Sequence, residues 1–253
     1  MMRRTLAIGL IAASLLVGCA GSKKQEDIEL QQQNAQELYD SAKTALRTGN
    51  YPSAIRKLEA LDSRFPFGPY SQQAQMDLIY AYFKSNDAES ALALADRFIR
   101  QNPRHPNLDY VYYMRGLVNY GEEVGLLRDA LAAELSERDN SNARQSFKDF
   151  SELVSLFPQS KYAEDARLRM VHLRNRLADY ELHVARYYMQ RQSYMGAVNR
   201  AKYVVEHFPK TPAVPDALSL MVSAYNLLDL PELAEESRRV LKLNFPDYRG
   251  RID

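Results

Sequence analysis

Four histidines, one cysteine and an adjacent pair of glutamates are the residues of this 253-residue chain best suited to chemistry, and their spacing limits what each can do. His172 and His183 share a helix face but lie roughly 16 Å apart along it, too far to hold one metal ion. With His105 and His207, they read as surface or seam residues. Glu122 and Glu123 form a paired carboxylate only on paper, because adjacent helical residues point about 100° apart, and they read as a solvated edge. No His-Glu-x-x-His, no phosphate-cradling glycine loop and no Gly-x-Ser-x-Gly occurs. The sequence therefore predicts a protein with no catalytic residues, no metal ligands and no cofactor.

The cysteine is different. Cys19 follows Leu16-Val17-Gly18 at the end of an apolar stretch from Leu6 to Val17, behind the positive start of Arg3 and Arg4. These are the parts of a secretory signal, and a stretch this short cannot cross a hydrocarbon layer that needs about 20 helical residues. Leu-Val-Gly-Cys resembles the bacterial lipobox, in which the cysteine is lipidated and becomes the mature N-terminus. Ala20 after it, rather than Asp, resembles the pattern of lipoproteins exported to the outer membrane. Several acyl chains on one cysteine anchor stably where a single chain is marginal. The expected boundaries are a signal peptide at 1–18, a lipidated tether at 19–34 and one folded domain at 35–253.

Charge narrows the class further. The 33 basic and 32 acidic residues give +1, and loss of Arg3 and Arg4 with the signal leaves −1, which offers no electrostatic footprint for nucleic acid. With Cys19 acylated no disulfide can form within the chain, so packing alone must hold the fold. The polar run from Ala20 to Asn34 reaches at most about 50 Å when extended, which keeps the folded part close to the membrane.

The elements behind that tether follow a repeat. Pro66, Pro103, Pro158, Pro209 and Pro246 are preceded by Phe65, Asn102, Phe157, Phe208 and Phe245, with 37 residues separating the first two prolines and the last two. Twelve residues before each proline stands a small side chain: Ala54, Ala91, Ser146, Ala197 and Ala234. Twenty-one before, where no insertion intervenes, stand Ala45, Tyr82, Tyr188 and Tyr225. Small residues let two helices approach, an aromatic fills the seam, and proline ends the second helix. This is the tetratricopeptide (TPR) pattern, slightly stretched, and it predicts an all-α solenoid of five TPR helix pairs.

Helices are expected at Gln36–Thr48, Ser53–Arg64, Gln72–Lys84, Glu89–Arg100, Pro212–Leu228 and Glu232–Asn244, with turns at Gly49-Asn50 and Asn86-Asp87. The repeats run at about 35–66, 71–103, 107–158, 161–209 and 211–246. The third carries an insertion placed at 119–142, where Gly121, Gly125 and a charged run from Glu134 to Asp139 interrupt the pattern. The fourth has a long first helix, since Lys161 to Gln192 contains neither glycine nor proline and its apolar positions recur every three or four residues.

The chain has 17 tyrosines and no tryptophan. Most read as packing between helices, yet tyrosines on the inner curve of stacked helices suit capture of an extended peptide. Several runs also carry a family resemblance. Phe65-Pro66-Phe67-Gly68-Pro69-Tyr70-Ser71-Gln72-Gln73, Asp77-Leu78-Ile79-Tyr80-Ala81-Tyr82, Asp96-Arg97-Phe98-Ile99-Arg100, Met114-Arg115-Gly116-Leu117 and Val198-Asn199-Arg200 resemble the BamD family, the lipoproteins of the outer-membrane β-barrel assembly machine. The resemblance implies a scaffold on the periplasmic face of the cell outer membrane. Its implied partners are the POTRA domains of BamA, companion Bam lipoproteins and unfolded outer-membrane β-barrel proteins, recognised through an aromatic-ended C-terminal signal. By motif it implies substrate contacts at Phe65, Tyr70 and Arg97, and partner contacts at Asn199 and Arg200. The family often has tyrosine ahead of the first proline, where Phe65 has no hydroxyl. A TPR lipoprotein adapter of pilus or secretin assembly would share the lipobox and repeats, but would not account for Phe-Pro-Phe-Gly-Pro-Tyr or the two displaced repeat lengths.

Overall fold

The computed structural model describes residues 30–129 and 140–250, the side chains of 122–129 excepted. Cys19 and the charged run 134–139 lie outside the described residues. Regular structure among them is entirely helical: α1 (Ala35–Arg47), α2 (Tyr51–Arg64), α3 (Ser71–Lys84), α4 (Ala88–Gln101), α5 (Leu108–Asp129), α6 (Ser141–Leu156), α7 (Ala163–Gln190), α8 (Tyr194–His207), α9 (Ala213–Leu227) and α10 (Pro231–Asn244). The chain divides into two compact units, one up to Pro103 and the other from Arg104. In the first, α1 to α4 pack in succession; in the second, α5 to α10 do so, and α7 also touches α9. These are the five helix pairs of the TPR pattern, α1/α2 through α9/α10.

One local event recurs at the end of every second helix. Phe65, Asn102, Phe157, Phe208 and Phe245 are the closing residues of α2, α4, α6, α8 and α10, with φ between −122° and −134°. Proline clashes with an α-helical residue ahead of it and pushes that residue toward extended backbone. Each closing N–H still reaches the carbonyl four residues back, at 2.8–2.9 Å, before the chain leaves. The turns inside the pairs use a second device: Gly49, Asn86, Gln192 and Asp229 all have φ between 57° and 73°, just ahead of the next helix. Asn50 and Asp87 then accept from the backbone N–H groups of Ser53 and Ser90 and cap α2 and α4.

The phased small residues do what their spacing implies. Ala54, Ala91, Ser146 and Ala197 are fully buried and Ala234 is nearly so. Ser146 Oγ donates to the Gly116 carbonyl at 3.0 Å, which places α5 and α6 almost backbone to backbone. Gly116 is needed there, since a Cβ would stand 2.6 Å from two ring carbons of Phe150, itself fully buried. Around this contact lies the core of the second unit, with Leu153, Leu173, Leu177, Val204, Leu218 and Leu241.

Three details differ from the sequence reading. The fold begins before residue 35: Leu30 is buried, its carbonyl accepts from the Arg64 guanidinium, and Asn34 and Glu37 form a capping box at the start of α1. Helix α5 runs past both Gly121 and Gly125 to Asp129, so neither glycine interrupts it, because helical glycine costs only about 1 kcal/mol. The buried residues of the 28-residue α7 are not all apolar, since Glu181 lies among Leu177, Ala178, Leu182 and Ala185.

Two substitutions test this packing. Ala54→Phe and Ala197→Phe should each lower stability by about 1–3 kcal/mol or more in thermal melts. Gly116→Ala should also lower the melting temperature, although helix propensity alone favours alanine by about 1 kcal/mol; a raised melting temperature would refute the close approach.

Candidate functional site

The first unit carries an open groove of about 1270 Å³, formed along the end of α2, the loop that follows it, α3 and α4. The loop exists because Phe65-Pro66 stops α2 and Gly68-Pro69 delays α3 until Ser71. Ser71 Oγ donates to the Pro66 carbonyl at 2.6 Å and fastens the loop to the top of α3. Phe67 stands at the rim, 98% exposed, because no helix lies over a side chain projecting from so tight a turn.

The wall of the groove is polar and internally bonded. Arg97 Nη2 donates to Asp62 Oδ2 at 2.6 Å, and Gln75 Nε2 donates to Asp62 Oδ1 at 2.6 Å. The Tyr82 hydroxyl donates to Glu59 Oε1 at 2.6 Å; burial first, then that carboxylate, raises the tyrosine's pKa. Gln72 Nε2 donates to Asn102 Oδ1 at 2.8 Å.

Of the residues expected at substrate, Arg97 lines the groove. Phe65 and Tyr70 do not, although both flank its loop. Phe65 lies against the Arg64 guanidinium, 4.9 Å from its ring centroid, and Tyr70 stacks on Tyr39 of α1 with centroids 5.0 Å apart. Tyr39 is held in turn by Asp77, which accepts its hydroxyl at 3.1 Å and the Lys43 ammonium at 3.2 Å. Phe67, Asp62 and Gln75 were not singled out by type and spacing. An aromatic between Pro66 and Gly68, where no helix can cover it, is the signal that could have marked Phe67.

The residues expected at a partner lie in the second unit. Asn199 and Arg200 are exposed on α8 and line a cavity of about 470 Å³ with Tyr188, Ser193, Gly196 and Tyr203. Arg200 is also bound within the chain. Its Nη1 donates to Glu181 Oε2 at 2.9 Å, while Arg144 Nη2 on α6 donates to Glu181 Oε1 at 3.1 Å. Glu181 is 1% exposed on α7, so one buried carboxylate ties α6, α7 and α8 together through two half-exposed guanidinium groups. The Glu181 hydrogen bond is the main cause of a raised Arg200 pKa. A second buried carboxylate, Asp149 on α6, meets Arg115 Nε at 3.0 Å and accepts from Asn119 and Gln145. Burial raises its pKa against the pull of Arg115. Arg115 also bonds Glu152.

Three of the four histidines make local contacts. His207 stacks on Tyr203 with centroids 4.1 Å apart, His172 lies edge-on to Tyr120, and the His105 ring accepts from the Asn107 N–H. Among the described residues no group of three or more histidine, cysteine, aspartate or glutamate side chains is arranged to hold a metal ion.

Paired helices stopped by proline, small residues at their crossings and an open groove define a TPR-type repeat protein. A family model of outer membrane lipoproteins, YfiO, matches residues 31–241. The outer membrane protein assembly factor BamD of Vibrio cholerae is 41% identical over 237 residues, covering 93% of this chain and 96% of its own. BamD of Neisseria meningitidis serogroup B is 41% identical over 244 residues, covering 96% and 90%. A thermophilic TPR protein of Thermus thermophilus is more distant, at a TM-score of 0.39 and 16% identity over 85% of this chain and 93% of its own. The chain belongs to the YfiO family of outer membrane lipoproteins, with the BamD assembly factors among its relatives.

The Glu181 cluster makes an asymmetric prediction. Removing both guanidinium groups, as in R144A/R200A, strands a buried carboxylate and should cost about 3–5 kcal/mol, whereas Glu181→Gln, which releases two arginines toward water, should cost about 1–2 kcal/mol. Denaturant melts of both variants compare the two; equal losses would mean that Glu181 is not desolvated.

Proposed function

We propose that the chain is a non-catalytic, lipid-anchored scaffold of outer membrane protein assembly, active on the periplasmic face of the outer membrane. Cys19 carries the lipid after loss of residues 1–18, and the following tether holds the repeats of 35–253 near the bilayer. The groove of the first unit receives extended segments of unfolded outer-membrane β-barrel proteins. The second unit presents Asn199 and Arg200 to a POTRA domain of BamA, with companion Bam lipoproteins completing the assembly. The observation that carries this reading is an open groove edged by an exposed aromatic, in a chain 41% identical to outer membrane protein assembly factors over most of its length. Phe67 and Arg97 line that groove. Phe65 and Tyr70 then act by shaping its loop, through the Arg64 and Tyr39 contacts. Adapters of pilus or secretin assembly share the architecture, but no relative reported above bears such a name.

Arg200 pairs internally with Glu181, which changes how its partner contact is tested. Arg200→Glu would place a carboxylate against the buried Glu181 and lose stability whether or not BamA is bound. Asn199→Glu is the cleaner probe, because Asn199 is exposed beside Arg200 and leaves the Glu181 bonds intact. If Arg200 meets a POTRA carboxylate, the added charge should weaken copurification of BamA by about tenfold at an unchanged melting temperature. Undiminished BamA recovery would move the contact elsewhere.

Anchoring has its own readout. Cys19→Ser should leave the helical signal intact and shift the protein from the outer-membrane to the soluble fraction. Retention at the membrane would mean that protein contacts hold it there.

A further inference from the structure

The loop that edges the groove is gripped from outside it. At its start, Phe65 lies under the Arg64 guanidinium, 4.9 Å from the ring centroid, and the same guanidinium donates to the carbonyl of buried Leu30. At its end, Tyr70 stacks on Tyr39 of α1 with centroids 5.0 Å apart and the rings 21° from parallel. Tyr39 is fixed in turn by Asp77, which accepts its hydroxyl at 3.1 Å and also accepts from Lys43 and Gln73. Burial first, then the Asp77 carboxylate, raises the Tyr39 pKa, so the hydroxyl stays protonated and able to donate. Between the two grips stands exposed Phe67, whose turn is fastened by the Ser71 hydroxyl on the Pro66 carbonyl. Leu30, Tyr39, Arg64 and Asp77 are not among the lining residues of the groove, so they reach it only through this loop.

Resting on the reading of this groove as the site for extended substrate segments, we infer that Leu30 and Tyr39 are positioning residues of that site: the chain from the end of the tether into α1 clamps the groove loop at both ends and holds Phe67 where an aromatic-ended segment meets it. The clamp works by restricting the loop. A loop that samples many conformations is competent in only a fraction of them, and the apparent affinity falls by that fraction. One stacked aromatic pair is enough to change such a fraction by about two- to tenfold. Residues 30–39 also join the tether to the repeats, so membrane attachment and substrate capture share one structural element.

The test uses the full mature lipoprotein in detergent and two measurements. Fluorescence anisotropy reads binding of a labelled synthetic peptide of alternating aromatic and small polar residues, ending in phenylalanine with a free carboxylate; hydrogen exchange by mass spectrometry reads the loop at 65–70 directly. Tyr39→Leu should weaken binding by about two- to tenfold and speed exchange of the loop while α4 exchanges as before. Tyr39→Phe keeps the ring and should stay within about twofold of the unmodified protein. Leu30→Asp, which expels the buried side chain and draws its carbonyl away from Arg64, should loosen the loop from the other end and weaken binding in the same way. Should Tyr39→Leu fail to fold, Leu30→Asp decides the matter. Unchanged affinity and loop exchange in the folded variants overturn the inference, as does a Tyr39→Phe protein as weak as Tyr39→Leu, or faster exchange spread evenly through α3 and α4. Failure of the unmodified protein to bind the peptide overturns the peptide-groove reading and this inference with it, whereas peptide binding that Tyr39→Leu and Leu30→Asp leave untouched overturns the clamp alone.

Discussion

The residue ahead of a proline cannot remain comfortably helical, and this steric rule organises the chain. It stops α2, α4, α6, α8 and α10 with nearly the same backbone geometry and turns the chain out of each pair. The small residue twelve positions earlier then lies where the paired helices cross. At α5/α6 the approach is close enough for the Ser146 hydroxyl to reach the Gly116 carbonyl. Stop and crossing work together: a misplaced stop would carry the small residue off the crossing, and a bulky side chain there would hold the helices apart. The loop at Phe65–Tyr70, which edges the groove, is a by-product of the same stop.

Charge is buried only where it fastens helices. Asp149 joins α5 to α6 through Arg115 and Asn119, and Glu181 joins α6, α7 and α8 through Arg144 and Arg200. In each case the carboxylate is enclosed, and around Glu181 the guanidinium groups remain half in water. That arrangement spares the cost of desolvating both partners and leaves arginine donors at the surface, where α8 can offer them to another protein. Arg200 thus closes an internal pair with Glu181 and still faces outward.

The two units differ in what they leave open. In the first, a wide groove has polar walls that satisfy one another almost completely, an exposed aromatic at the rim and one unmet acceptor at Gln75. In the second, the long α7 packs against α6, α8 and α9 and supplies both Glu181 and Tyr188, so the cavity beside α8 is built on a helix held from three sides.

Residue type and spacing were enough to place the helix pairs, their proline stops, the buried small positions and the long α7, because each follows from local sterics repeated in phase. Arg97, Asn199 and Arg200 were marked by the family resemblance alone and not by type or spacing. Local pattern misjudged Gly121 and Gly125, since a helical glycine is a modest penalty that neighbouring helical residues absorb, and it ended the tether too late because the bond from Arg64 of α2 to the Leu30 carbonyl joins residues distant in sequence. Tertiary structure alone decided that Phe67 edges the groove while Phe65 and Tyr70 pack beside it, that Asp62 holds Arg97, and that Glu181 is buried between two arginines. The Asp62 and Glu181 outcomes rest on contacts between residues 19 to 37 positions apart, whose distances are set by how neighbouring helices cross and by no periodicity within either one.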